Sequence, residues 1–454
     1  MNKYFKWGLL LLYVIITFIR VINHQTWYDE ARAWLIAENL NLFEIFDLMK
    51  IEGHTFVWFV LLMPFAKTHF AYPYSMQIMN WIFCISAVFV MWKYSPFNNW
   101  IKALITFSVP FFLWYPVLAR CYSIGILLLF ILMTMFKDKL KHPIVYSILI
   151  LFTANTSVMA MIGAFSFACI FLYELFKNKQ YKDLSICSGV GVLCAVLLYL
   201  QLFGADASIT GRPEYLDGLS SSFFLNVFIF PHIVNAILLI VFTIATLFSI
   251  SKNKTAMFFL VSTYTLLLIV FQFVYSGNEW HHYFFYIYFI IASWIFMLEN
   301  QEKAICQKIL ITILALISIF YCFDYRYRMG TFHSGSKYLA EKVEELNKNS
   351  SIIFVGKNFF QLIPYIEDKN IDYYYAHTSK KIDNPIKEEP KIIKALSPEV
   401  LSEIYGRKEN TYLFVLSKDT KLKDFSVSYN NVIYNLDLEE IFGNNVYIFK
   451  LNTK

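Results

Sequence analysis

The stretch HQTWYDEARAWLIAENLNLFEIF runs from His24 to Phe46 and follows directly on an apolar segment, Trp7–Ile22. In it Trp27, Ala31, Trp34, Leu35, Leu42, Ile45 and Phe46, continued by Met49, recur mostly at intervals of three or four. That is the period of one helix face, and the stripe predicts a helix, or two short ones, lying along a membrane surface. Asp29 and Glu30 open it. Acids in a first helical turn satisfy free backbone N–H groups and complement the helix dipole. Ionisable groups beside a membrane crossing are expensive and tend to be functional. A second cluster, IEGHTFVWFVLL from Ile51, places Glu52 and His54 at the head of another apolar segment.

The rest of the chain supports a membrane setting. Of 454 residues, 58% are hydrophobic and only 16% charged, against about a quarter charged in soluble domains. Segments near the roughly 20 residues needed to cross a bilayer are Trp7–Ile22, Tyr72–Trp92, Ile101–Tyr115, Cys121–Phe136, Pro143–Asn155, Ser157–Phe176, Leu184–Phe203, Phe224–Ile250, Ala256–Tyr275, Phe284–Leu298 and Ile309–Phe323. Lys3 and Lys6 before the first run, without a small-residue cleavage site, read as a retained first helix. Lysine clusters fall in alternate connections, among them Lys93/Lys102, Lys137/Lys139/Lys141, Lys177/Lys179/Lys182 and Lys252/Lys254. By the positive-inside rule these connections are cytoplasmic, as is the N-terminus. Residues 23–71, 205–222 and 276–283 then face outward, provided that Thr55–Ala66 only dips into the outer leaflet.

From about Asp324 the composition changes. SGSKYLAEKVEELNKN has helical patterning, whereas SIIFVGK, IDYYYA and TYLFVLSK are short β-rich runs. The expected architecture is an all-α polytopic membrane domain over 1–323, with about eleven crossings and a first outer loop at 23–71, followed by a small soluble extracytoplasmic α/β domain over 324–454. The seven cysteines show no C-x-x-C spacing, so neither a zinc site nor a disulfide framework is indicated. The modest net charge of +6 reflects topology, not nucleic-acid binding. NTS at Asn155–Ser157 reads as a helix turn, and GRPEYLDG at Gly211–Gly218 as an outer connector.

Several basic groups fall on the outer side. Arg120, in VLARCYS, stands at the end of a crossing, where it can clamp a lipid phosphate or snorkel to the interface. His281 and His282 lie in GNEWHH beside Glu279, and Arg326 and Arg328 follow the last crossing.

WYDEARAWLIAENLNLFEIF, IEGHTFVWFVLLMPF, FLWYPVLARCYSIGILLL, TANTSVMAMIGAF and GNEWHHYFFYIYFIIASWIF resemble, in this order, segments of bacterial GT-C-type membrane glycosyltransferases. The nearest family includes protein O-mannosyltransferases and aminoarabinose transferases of lipid A. Two departures stand out: Gly53-His54-Thr55-Phe56 where relatives often read Gly-His-Pro-Pro, and His281-His282 where they often carry Arg-His. The resemblance implies sugar transfer from a polyprenyl-phosphate donor to a cell-envelope glycan, lipid or protein. It also implies an acid of the first outer loop as catalytic base, Asp29 before Glu30. Neighbours on a helix point about 100° apart, so the second acid is left to cap the helix or pair with Arg32. Arg120, His281 and His282 then receive the donor phosphate, and Glu52 and His54 the substrate. No cofactor is required, and a divalent metal stays open because no ligand spacing supports one. A lipid-linked sugar flippase and a non-catalytic envelope scaffold are the competing functions.

Overall fold

A computed structural model describes residues 3–203, 241, 243–275, 277–299, 308–309, 311–313, 336–347, 351–355, 361–366, 373–375, 411–416, 425–429, 432–442 and 446–453. Most of the expected crossings Ile309–Phe323 and Phe224–Ile250, the loop Gly211–Gly218, Arg326 and Arg328 lie outside them. The described chain is mostly helical and falls into two compact units.

The first unit comprises 1–24, 41–62 and 74–330. Among the described residues six helices, Tyr4–Ile22, Tyr74–Tyr94, Val158–Lys177, Tyr181–Leu202, Lys254–Phe273 and Glu279–Leu298, are long and apolar enough to cross a membrane. Each coincides with one of the expected spans to within a few residues. Their burial separates them: 94% of the Glu279–Leu298 window is buried against 11% of Tyr181–Leu202. An apolar surface on all sides suits the former to the centre of a bundle. Labelled in chain order, the helices up to residue 202 are α1 (Lys3–Ile22), α2 (Tyr28–Asn39), α3 (Leu42–Glu52), α4 (Val57–Ala66), α5 (Tyr74–Tyr94), α6 (Asn99–Thr106), α7 (Tyr122–Met135), α8 (Pro143–Ala154), α9 (Val158–Lys177) and α10 (Tyr181–Leu202). α5 packs on α7, α8 on α9, and the Lys254–Phe273 helix on both α9 and Phe284–Glu299. At Gly163 of α9 a Cβ would come within 2.7 Å of Tyr288. The hydrogen that Gly carries instead lets the Gly163 N–H donate to the Tyr288 hydroxyl at 2.9 Å.

One expected crossing differs. Ile101–Tyr115 is not a continuous α-helix: α6 stops at Thr106, and a π-helical turn follows at Pro110–Trp114. Pro110 contributes no N–H, and the irregular backbone is tolerated because it is enclosed by protein. Arg20 of α1 donates to the carbonyls of Phe112 and Leu113, which supplies partners the broken helix lacks. Two lysines of the expected topology clusters are also buried. Lys102 donates to the Trp92 carbonyl at 2.9 Å, and Lys139 pairs with Glu174 at 2.9 Å.

The second unit comprises 25–40, 63–73 and 331–454. The expected first outer loop, 23–71, is therefore not a single body: it divides at 24/25, 40/41 and 62/63. The divide falls where the helical stripe breaks. Asn41 accepts from the N–H groups of Phe43 and Glu44, while the Glu44 carboxylate accepts from the Asn41 N–H. This capping box starts a new helix, α3. α2 also departs from the expected surface-lying helix, for every residue from Glu30 to Ala37 is buried. Trp34 packs on Tyr72 at 4.9 Å, His69 pairs with Glu38 at 3.1 Å, and Lys67 donates to the Leu40 carbonyl at 2.9 Å. Further along lie the helix Ser336–Asn347 and strands β1 (Ser351–Val355), β2 (Tyr373–Tyr375), β3 (Thr411–Leu416), β4 (Phe425–Tyr429), β5 (Val432–Phe442) and β6 (Val446–Thr453). They form one sheet in the order β2-β1-β3-β6-β5-β4. β1 is parallel to β2 and β3, the remaining pairs are antiparallel, and β5 carries an irregularity between Leu438 and Glu440.

Candidate functional site

The first unit brings together His54, Arg120, Tyr122 and His281, residues scattered over more than half the chain. His54 sits between α3 and α4, just after Gly53, whose φ of +64° ends α3 in the left-handed region that favours glycine. Arg120 and Tyr122 stand at the entrance to α7, where chain leaving the π-helical turn re-enters a regular helix. Asn80 and Ser123 hold that entrance by donating to the Tyr115 carbonyl, at 2.9 and 2.8 Å. His281 lies in the four-residue helix Glu279–His282, anchored where Tyr115 donates its hydroxyl to the Trp280 carbonyl at 2.9 Å.

Hydrogen bonding sets the protonation pattern. Arg120 is 6% exposed, and its Nη2 lies 2.7 Å from His54 Nε2. A guanidinium only donates, so His54 Nε2 accepts and its ring proton sits on Nδ1. His281 is the mirror case. Its Nδ1 accepts from the Asn278 N–H at 2.9 Å, which leaves the proton on Nε2, directed at the Tyr122 hydroxyl 2.7 Å away. The Tyr122 ring stands edge-on between the two imidazoles, with centroids 6.5 Å from His54 and 5.2 Å from His281. Burial, reinforced by the Arg120 charge, lowers the His54 pKa to about 3. With Nε2 accepting from Arg120 and the proton on Nδ1, neutral His54 has no lone pair left to take a proton from an alcohol. It aims the guanidinium.

The loop carrying His54 is fixed from below. Gln201 of α10, fully buried, accepts from the Phe56 N–H at 2.9 Å and donates to Asn155 Oδ1 at 2.9 Å. The Asn155 carbonyl accepts from the Val57 N–H. Asn155 closes α8, and Ser157 caps α9 by accepting from the Ala160 N–H at 3.1 Å. NTS is therefore a buried helix-to-helix turn.

The other expected site residues are placed as follows. His282 packs edge-on against Phe271 at 4.8 Å. Gly277, at φ +77°, makes room: a Cβ there would lie 3.0 Å from His282 Nε2 and 2.8 Å from Phe271. Glu52 is the last residue of α3 and half-buried. Asp29 and Glu30 belong to the second unit. Glu30 is fully buried, and its carboxylate accepts from the Trp27 N–H at 3.1 Å, closing the first turn of α2. Asp29 lies half-buried in the same turn. Among the described residues no three His, Cys, Asp or Glu side chains converge to hold a metal ion. Tyr122 and Gln201 had no local sequence signal, and Asn155 had one only as part of a turn. Tyr122 looks like any interfacial aromatic in VLARCYS, and the partners of the two amides are remote in the chain.

In chemical terms the cluster sets a permanent cation beside an imidazole acceptor and a Tyr–His pair at the ends of apolar helices, a combination suited to an anion carrying an apolar tail. Comparison with known proteins finds no matching family model, no matching curated protein and no matching solved structure.

Proposed function

We propose that the chain is an integral-membrane glycosyltransferase of the GT-C type, moving a sugar from a polyprenyl-phosphate-linked donor to a cell-envelope acceptor on the outer face. The observation carrying this reading is the buried Arg120 guanidinium, aimed by a histidine that burial and charge keep neutral. Such a cation stabilises a leaving phosphate where charge develops. In the proposed step the acceptor oxygen attacks the anomeric carbon as the carbon–oxygen bond to the phosphate breaks. The polyprenyl phosphate departs with the bonding electron pair, and the acceptor proton passes to Asp29. One in-line displacement inverts the anomeric centre. Because the leaving group is already a stable anion, no second carboxylic acid is needed, unlike glycoside hydrolysis. His54 Nε2 is already engaged by Arg120, which favours a carboxylate in the role of base, and Glu30 is occupied in closing α2.

The same proposal includes about eleven crossings, a cytoplasmic N-terminus, and an α/β domain over 324–454 on the outer face. The test compares envelope glycolipids and wall polymers of cells lacking the gene, complemented with wild type, Asp29→Asn or Arg120→Ala at matched membrane levels. Loss of one glycan in both variants supports the reading. Full glycan output from both sinks it, and donor lipid stranded on the inner leaflet irrespective of residue 29 identifies a flippase instead.

A further inference from the structure

Within the second unit, the first turn of α2 is held locally by Glu30, whose carboxylate accepts from the Trp27 N–H at 3.1 Å. Its N-cap residue is Trp27, whose indole can only donate. The residue before it, Thr26, is fully buried, and residues far along the chain engage its polar groups. Its N–H donates to the Tyr365 hydroxyl at 3.1 Å, and its own hydroxyl donates to the same oxygen at 3.1 Å. The Tyr72 hydroxyl lies 2.6 Å from Thr26 Oγ1; with the Thr26 proton directed at Tyr365, Tyr72 is the donor. Ser336, also fully buried, donates to the Thr26 carbonyl at 3.2 Å. Aromatic packing runs alongside, with Tyr72 edge-on to Tyr365 at 5.0 Å and against Trp34 of α2 at 4.9 Å. Burial, then the neighbouring Tyr365, pushes the Tyr72 phenol well above its usual range, so it stays a donor at any physiological pH.

We infer that Tyr365 and Ser336 are positioning residues: from the C-terminal part of the chain they clamp Thr26, and so set the entry and orientation of the helix whose first turn carries Asp29. This rests on the proposed role of Asp29. The C-terminal segment then acts as a second N-terminal anchor of α2, beside the Glu30 contact, and not as a detachable accessory. A backbone N–H and C=O held by partners 339 and 310 residues away fix position far more tightly than a hydroxyl pair alone, because the peptide planes on both sides lose their freedom to rotate.

The test uses the full chain in lipid nanodiscs, with hydrogen exchange followed across residues 25–40 and envelope glycan output measured in complemented cells. Tyr365→Phe keeps the ring and removes the acceptor. Thr26→Val keeps the shape and removes the hydroxyl, and Thr26→Ser restores it. Exchange at residues 25–31 should quicken about 5- to 100-fold in Tyr365→Phe, the effect of losing the acceptor of two hydrogen bonds, while α5 and α9 exchange as in wild type. Glycan output should fall in Tyr365→Phe and Thr26→Val and recover in Thr26→Ser. Unchanged exchange in both Tyr365→Phe and Tyr365→Ala overturns the clamp. Faster exchange with undiminished glycan output leaves the clamp standing and overturns the catalytic role of Asp29.

Discussion

The basic cluster and the acidic helix are held in opposite ways. Around Arg120 the contacts run from side chain to side chain between elements remote in sequence: His54 to Arg120, Tyr122 to His281. Each ring is locked in one tautomer by its second nitrogen or by its cationic neighbour, so the cluster is rigid without a carboxylate in any of these bonds. Around Asp29 the backbone itself is gripped, through Thr26 and through the Trp27 N–H held by Glu30. A leaving anion needs a fixed field. A base needs a fixed approach to the proton it removes.

The sharpest way to break this contrast is to neutralise each region in turn. Asp29→Asn should lower glycan transfer by about 10²- to 10⁴-fold, the usual worth of a general base, whereas Glu30→Gln should keep transfer near wild type because an amide oxygen still accepts from Trp27. Equal losses in both variants, measured as product per unit of membrane protein, would erase the division of labour between the two acids. Arg120→Ala should cost about 10²- to 10³-fold, as loss of a transition-state donor does, and Arg120→Lys should recover only part of it because the fork geometry is lost.

Structural variants sharpen the comparison further. Gly163→Ala should destabilise by about 1–3 kcal/mol through overpacking against Tyr288, visible as a lowered thermal midpoint in detergent. Gln201→Leu leaves the Phe56 N–H buried without its acceptor, a cost of about 1–3 kcal/mol, and hydrogen exchange should rise in the loop carrying His54 but not around Thr26. A further difference concerns pH. The folded chain refuses a proton on His54 until about pH 3, while the unfolded chain accepts one near 6.5. The wild type should therefore lose stability relative to His54→Asn as the pH falls from 6.5 towards 3, and show no such difference above 6.5. A difference that grows upward from pH 6.5 would mean that His54 is charged in the folded state.

Much of the helical part was legible because its signal is local. Roughly 20 consecutive apolar residues have few options other than a crossing, and six such helices fall close to their expected ends. The break at Pro110–Trp114 was not legible, since an apolar run looks the same whether α or π, and Arg20, whose donors serve the freed carbonyls, lies some 90 residues earlier. The stripe from Trp27 to Met49 predicts a surface-lying helix, yet α2 is buried from Glu30 to Ala37, and Tyr72, from outside the helix, packs on its Trp34. Glu30 as a first-turn acid could be foreseen, for its partner is three residues away. Tyr122 and Gln201 could not, for theirs are 159 and 145 away.

By itself the sequence determined the apolar helices, the turn at Asn155–Ser157 and the position of two acids at a helix start, because period and capping are properties of neighbouring residues. Tertiary structure alone decided which histidine faces Arg120, which packs on Phe271, and what holds the start of α2. Those outcomes depend on which distant groups share a buried space, where every donor must find an acceptor and no local pattern names it.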